Sequence, residues 1–234
     1  MMTIEAASII APSAENGVVS SLGNKPAKLH IDHDGKIAGW DWDSALNADK
    51  QIGAQSCIVG PGFVDLHFHG YGDQTDVRYS EIGSFQHPVE TLEKISSYGT
   101  TATLATMLVP ARARRFFAVD LEPRYLFMRS HLQDIVGTDG PPDSPRARLI
   151  GIHLEGPKIN PLVAGAIPQN CIWDVTVRDI DRILGINADF ADTAVKMMTV
   201  APEMDFQNEF TFTRALIDKG VKVALGHSNA SLEH

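Results

Sequence analysis

Chemistry-bearing side chains crowd one short segment, Pro61-Gly62-Phe63-Val64-Asp65-Leu66-His67-Phe68-His69-Gly70. Read as a β-strand, it sets Asp65, His67 and His69 on one face and Val64, Leu66 and Phe68 on the other, because side chains alternate across a strand. Two imidazoles one strand period apart, just ahead of a glycine, are spaced to chelate a single metal ion through neutral ring nitrogens. Metal-assisted hydrolysis is the chemistry this pattern points to. The same pair also suits ordinary polar strand residues bonded to neighbouring backbone groups, so further ligands must decide between the two.

Two later segments end in the same way. Leu149-Ile150-Gly151-Ile152-His153-Leu154-Glu155 closes on a carboxylate before Gly156-Pro157. Alternation predicts Gly151, His153 and Glu155 on one face, with Ile150, Ile152 and Leu154 packed outward against helices. Residues 221–227 repeat the scheme, with Val221, Val223, Leu225 and His227 on one face and Ser228-Asn229 as the following turn. Taken singly, Glu155 also reads as a loop carboxylate and His227 as a helix-capping group. In parallel βα barrels, however, the C-terminal ends of the strands form the rim where reactive groups gather. Placed together there, His67, His69, Glu155 and His227 point to one metal site. Imidazole and carboxylate ligands suit Zn²⁺, Fe²⁺, Mn²⁺ or Co²⁺, and without clustered thiolates a structural zinc site is disfavoured. His153 reads as a satisfied residue of the barrel interior, with a bond to one of the metal ligands as the alternative.

Such ligands need strands to carry them, and the pattern supplies five, over residues 58–69, 100–109, 149–155, 195–201 and 221–227. Between the strands lie helical stretches. Pro88 suits a first turn, Val89, Leu92 and Ile95 form a stripe, and Gly99 can end that helix in a left-handed cap. Phe210, Leu216 and Ile217 likewise precede Gly220. Residues 111–136 have helical character interrupted at Pro123, and 137–145 form a Gly/Pro/Asp surface loop. Strands alternating with helices mark an α/β fold, a (β/α)8 TIM barrel with about five βα units in residues 58–234. Residues 1–57 carry short β-like runs at 3–10, 28–31 and 36–40, with a turn at Asp32-His33-Asp34-Gly35, and predict a small β-rich domain. His30 and His33 read there as surface residues. A whole barrel takes eight strands and about 250 residues. The 234 residues are therefore expected to be a front portion with open strand edges.

Composition narrows the partners. The formal net charge of −9 opposes nonspecific binding to nucleic acid or to anionic membranes, both of which need a positive field. The Ala111-Arg112-Ala113-Arg114-Arg115 cluster therefore reads as a solvated helix face. Only two cysteines, Cys57 and Cys171, occur, without CxxC spacing, and no basic segment followed by an apolar run opens the chain. A reduced, cytoplasmic protein without membrane spans is the simplest expectation.

Five motifs, in order, carry a family resemblance: residues 61–70, Gly99-Thr100-Thr101, Ile152-His153-Leu154-Glu155-Gly156-Pro157, Val200-Ala201-Pro202-Glu203 and Leu225-Gly226-His227-Ser228-Asn229-Ala230. The set closely resembles the N-acetylglucosamine-6-phosphate deacetylases of the amidohydrolase superfamily. The resemblance implies a barrel flanked by a small β-domain built from both chain ends, a homodimer, and hydrolysis of the N-acetyl group of the sugar phosphate to glucosamine 6-phosphate and acetate. It matches Glu155 and His227 to ligands of the principal metal, and His67 and His69 to members that hold a second, so one or two divalent ions are implied. Where the family usually has a histidine after Gly-Ala, this chain has Gly165-Ala166-Ile167, leaving a backbone contact to substrate at Ala166. Lys158 replaces an aromatic residue common in the family after Glu-Gly-Pro and is expected to alter the rim or to supply a new cation there. The family's next metal histidine, its phosphate-binding residues and its catalytic aspartate all match positions expected beyond residue 234, so the catalytic group is not assigned in this chain. Asp65 reads as a support for the first strand and its histidines. A catalytically inactive metal-binding or interaction remnant, or another amidohydrolase, are the competing expectations.

Overall fold

A computed structural model describes residues 1–10, 18–20, 25–41, 48–70, 88–113, 115, 146–184 and 195–233. They fall into two compact units, Met1–Gly62 and Phe63–His234. The predicted helix over 111–136, apart from its first few residues, and the predicted loop over 137–145 lie outside the described residues.

The first unit is a five-stranded sheet of β1 (Met2–Ile10), β2 (Val18–Ser20), β3 (Ala27–Ile31), β4 (Ile37–Asp41) and β5 (Lys50–Val59), ordered β2-β1-β3-β4 with β5 parallel to β1. Asp32 Oδ1 accepts from the backbone N–H groups of Asp34 and Lys36, closing the β3–β4 turn where the sequence places it. Ala6, Ile9, Ala27 and Leu29 form the small core. His30, expected at the surface, is instead only 1% exposed. Its Nδ1 meets Thr3 Oγ1 at 3.0 Å and its Nε2 meets Asp41 Oδ2 at 3.3 Å. A short polar network of this kind satisfies both ring nitrogens, which is what lets an imidazole be buried.

The second unit is a parallel sheet in sequence order, β6 (Phe63–Phe68), β7 (Thr100–Met107), β8 (Arg148–Glu155), β9 (Val195–Val200) and β10 (Lys222–Leu225). All four neighbouring pairs are parallel. Its described helices are α1 (Pro88–Ser96), α2 (Ile180–Ile183), α3 (Glu203–Phe206) and α4 (Thr211–Asp218). Leu92 and Ile95 of α1, Phe212 and Leu216 of α4, and Leu149, Ile152, Leu154, Met198 and Val200 of the strands belong to one buried core. Among the described residues, no helix is long and apolar enough to cross a membrane, and neither Cys57 nor Cys171 is in a disulfide.

Several sequence expectations need correction. The strand expected over 58–69 is two elements: β5 ends at Val59, and β6 starts at Phe63. Pro61 lacks the N–H a continuing ladder needs, and Phe63 N opens the new sheet by donating to Gly99 O. Of the face opposite the histidines, Val64 and Leu66 are exposed on the outer strand β6, and Phe68 packs against the core. Ile150 is 37% exposed rather than packed outward. The β7–β8 register slips between Thr103 and Leu104, and Gly151 takes φ 151°. That bulge adds a residue and reverses the alternation, so Leu149 and Ile152 both reach the core. In α4 the buried pair is Phe212 and Leu216, spaced by four, while Ile217 is 57% exposed. Phe210 lies outside the helix in the left-handed region, and Asp205 Oδ2 accepts from Thr213 N and Thr213 Oγ1 to secure the helix start. Gly99 and Gly220 do take the left-handed conformation after α1 and α4, with φ 92° and 78°.

The corrected face of α4 is directly testable. Leu216→Ala should cost about 2–5 kcal/mol in urea unfolding, since it opens a cavity in the main core. Ile217→Ala should change stability by no more than about 0.5 kcal/mol; equal effects would contradict this packing.

Candidate metal centre

Four expected ligands sit at or just beyond strand ends of the parallel sheet. His67 lies within β6 and His69 one residue past it; Glu155 closes β8; His227 follows β10 by two residues. The β6–β7 ladder is irregular between Asp65 and Phe68, and Phe68 N donates to Thr106 Oγ1. Asp65 Oδ1 accepts from His67 N at 3.1 Å, so this carboxylate supports the local backbone of the histidine pair.

Glu155 is the centre of the cluster. It is 7% exposed. His67 Nε2 lies 3.4 Å from its Oε1, His69 Nε2 3.1 Å from its Oε2, and His227 Nε2 2.9 Å from its Oε1. The two strand histidines bring their Nε2 atoms to 3.2 Å of each other. His67, His69 and Glu155 offer ligand atoms all within 4.8 Å of one another, and His227 joins this group through Glu155 Oε1. Burial raises the Glu155 pKa, but the imidazoles of His69 and His227, and the nearby His67 ring, outweigh it and lower the pKa from 4.5 to about 2.

These spacings fit a divalent ion. Ligands about 2.0–2.1 Å from a tetrahedral centre stand about 3.3 Å apart, close to the separations among these nitrogens and oxygens. The ring of His227 is already oriented for ligation, with Nδ1 donating to Val163 O at 3.2 Å and Nε2 left to face the carboxylate. Two electron pairs 2.9 Å apart require a positive charge between them, either a proton on Nε2 or a metal ion. A carbonyl that fixes one ring nitrogen and frees the other is the usual support for a metal-ligating histidine.

His153 is held differently. Its Nδ1 meets Leu66 O at 2.8 Å and its Nε2 meets Thr199 Oγ1 at 2.8 Å. A carbonyl can only accept, so Nδ1 carries the proton and Nε2 accepts from the threonine. Burial lowers the His153 pKa, and with both nitrogens bonded the ring reads as a satisfied interior group. It stacks edge-on to His67 at 5.0 Å between centroids.

The loops complete the site. Ala166 is exposed in the loop after the 3₁₀ turn Pro161–Val163, beside Gly165, where an added Cβ would lie 3.8 Å from His227 Cε1. Ile167, where the resemblance implies a histidine, is buried with Leu108, Ile159 and Cys171. Lys158 adds no cation to the rim: it is 3% exposed, bonded to Asp174 Oδ1 and Val175 O, and lies over the Phe212 ring. Gly226 must lack a side chain, because a Cβ there would meet Thr199 Cγ2 at 2.9 Å.

Residue-by-residue reading missed Glu203. It stands at the start of α3, and its carboxylate accepts from Asn160 Nδ2, Asn229 N and Ser228 Oγ at 2.6–2.9 Å. Burial raises its pKa, yet these three donors lower it to about 2. The signal that could have found it was Ala201-Pro202-Glu203, a carboxylate placed directly after a strand end like Glu155.

No protein-family model matches the chain. Its sequence is 28% identical over 200 residues to an N-acetylglucosamine-6-phosphate deacetylase of Lysinibacillus sphaericus, covering 86% of this chain and 46% of that one. The enzyme of the same name from Bacillus subtilis is 28% identical over 203 residues, 85% of this chain and 45% of its own. The chain is a relative of the N-acetylglucosamine-6-phosphate deacetylases. It spans about half the length of the curated relatives it matches. Its fold is that of two solved deacetylases of this name. The Mycobacterium smegmatis protein, solved with N-acetyl-D-glucosamine 6-phosphate, has TM-score 0.66 and 22% identity over 99% of this chain and 51% of its own. The Thermotoga maritima protein has TM-score 0.65 and 23% identity over 99% and 50%.

The lowered Glu155 pKa has a stability consequence. A carboxylate whose pKa falls on folding stabilises the fold above its unfolded value, and that contribution is lost as pH drops through the folded value. In metal-free protein, the stability gap between wild type and Glu155→Gln should therefore be full above pH 4.5 and shrink as pH falls toward 2. Urea unfolding across that range measures it; a gap independent of pH would contradict the contacts described for Glu155.

Proposed function

We propose that this chain carries the metal-holding strands of an N-acetylglucosamine-6-phosphate deacetylase, an amide hydrolase of amino-sugar catabolism built on a (β/α)8 barrel. The observation that supports this reading best is Glu155, buried and approached by His67, His69 and His227 at ligand spacing. One or two divalent ions, Zn²⁺, Fe²⁺, Mn²⁺ or Co²⁺, suit this nitrogen and oxygen set. When bound, such an ion supplies Lewis acidity toward the acetamide carbonyl and makes water a better nucleophile near neutral pH.

The chain's own residues do the holding and orienting. Val163 O fixes the His227 ring so that Nε2 faces the site. His153, locked on both nitrogens, closes the interior behind His67. To Ala166, exposed beside Gly165, we assign the backbone contact to the sugar phosphate that the resemblance implies. In the net reaction the amide C–N bond breaks, acetate keeps the hydroxyl of water, and the amine of glucosamine 6-phosphate takes the proton. That proton needs a general acid and base, a role we assign to none of the described residues.

A second reading has its own support. Phe63, Val64 and Leu66 on β6 and Leu225 on β10, the two outer strands of the parallel sheet, are 44–72% exposed. Apolar edges of this kind favour burial against further strands, whether of a longer chain or of a partner.

Titration of the 234-residue protein with Co²⁺ should give saturable binding, weakened by at least 10-fold in His227→Ala. Unchanged affinity and stoichiometry would remove His227 from the ligand set. The same protein should release little or no acetate from N-acetylglucosamine 6-phosphate, and robust turnover would refute that expectation.

A further inference from the structure

We infer that Glu203 is the positioning residue of the metal centre, holding His227 in the one backbone state that aims its ring at Glu155. His227 has φ 49°, in the left-handed region that residues with side chains adopt uncommonly and at a cost the surroundings must offset. Glu203 supplies the offsetting contacts from a neighbouring strand end.

Two routes run from its carboxylate to the histidine. Along the first, Oε2 accepts from Ser228 Oγ and Oε1 from Asn229 N, gripping the two residues that follow His227. Ser228 Oγ in turn accepts from Ala230 N, which closes the turn. Along the second, Oε1 accepts from Asn160 Nδ2. Asn160 N donates to the backbone oxygen of His227, and Asn160 Oδ1 accepts from Leu162 N to cap the Pro161–Val163 turn. Val163 of that turn presents the carbonyl that receives His227 Nδ1–H. The two routes meet on one imidazole, the first setting its backbone and the second its ring. Glu203 thereby ties together the loops after β8, β9 and β10, though it touches none of the four proposed ligand side chains itself.

The inference rests on the metal-site reading, and one double-mutant cycle tests both. Co²⁺ affinity is measured for wild type, Glu203→Gln, His227→Ala and the double variant, each checked by circular dichroism for a folded chain. A glutamine keeps the size but presents an amide N–H₂ to groups that donate. Glu203→Gln should weaken Co²⁺ binding about 10–100-fold, the range for loss of a group that orients a ligand. In the His227→Ala background it should cause no further loss, because it acts through that histidine. Wild-type affinity in Glu203→Gln, or an equal loss in both backgrounds, overturns the inference while leaving the metal reading intact. A wild type that takes up no Co²⁺ overturns the metal reading and this inference with it. Ring ¹⁵N NMR of His227 in metal-free protein gives a readout without cobalt: wild type should show Nδ1 protonated and held in its bond to Val163 O, and Glu203→Gln a changed Nδ1 resonance as that bond loosens. Identical spectra would also overturn the proposal.

Discussion

A carboxylate buried at the end of a strand must be given positive or hydrogen-bonding partners, and Glu155 is the group on which this arrangement turns. Removing a charge from water costs several kcal/mol or more unless partners replace the lost hydration. Here the partners are three imidazoles arriving from two other strand ends. Their nitrogens gather around both oxygens closely enough to need a proton or a cation between them. The charge requirement of one residue thus draws β6, β8 and the loop after β10 to a common point.

The loops are built to meet that requirement. Glycine at 226 leaves room for Thr199, whose hydroxyl bonds His153. Asn160, Ser228 and Asn229 converge on Glu203, and Val163 takes the second nitrogen of His227. Each contact is modest alone, since a hydrogen bond contributes about 0.5–1.5 kcal/mol net. Arranged in a closed ring, they hold a left-handed histidine that no single one would secure. The same economy of contacts appears at α4, where Asp205 secures the first turn and leaves Phe212 and Leu216 to the core.

Much of this was visible in the chain itself. Parallel strands at 100–107, 148–155, 195–200 and 222–225 were legible because apolar runs were punctuated by glycine and by polar residues at their ends. The proposed ligands were legible because histidine and glutamate stood at those ends. Less visible were the faces. Ile150, expected to pack against helices, is exposed because a bulge at Ile150–Gly151 overrides strict alternation, and alternation alone does not tell that Val64 and Leu66 lie exposed on an outer strand. His30 was expected at the surface and is buried, because Thr3 and Asp41, distant in sequence, satisfy its ring. Lys158 was expected at the rim and turns inward to Asp174 and Val175.

The order of residues determined which chemical groups stand at the strand ends, because type and spacing are local properties set by covalent geometry and a two-residue period. Only the tertiary structure decided which groups meet. His227 reaches Glu155 across 72 residues, and Glu203 reaches Asn160 across 43. Contacts so distant along the chain depend on sheet order, register slips and loop hydrogen bonds, none of which a periodic pattern encodes.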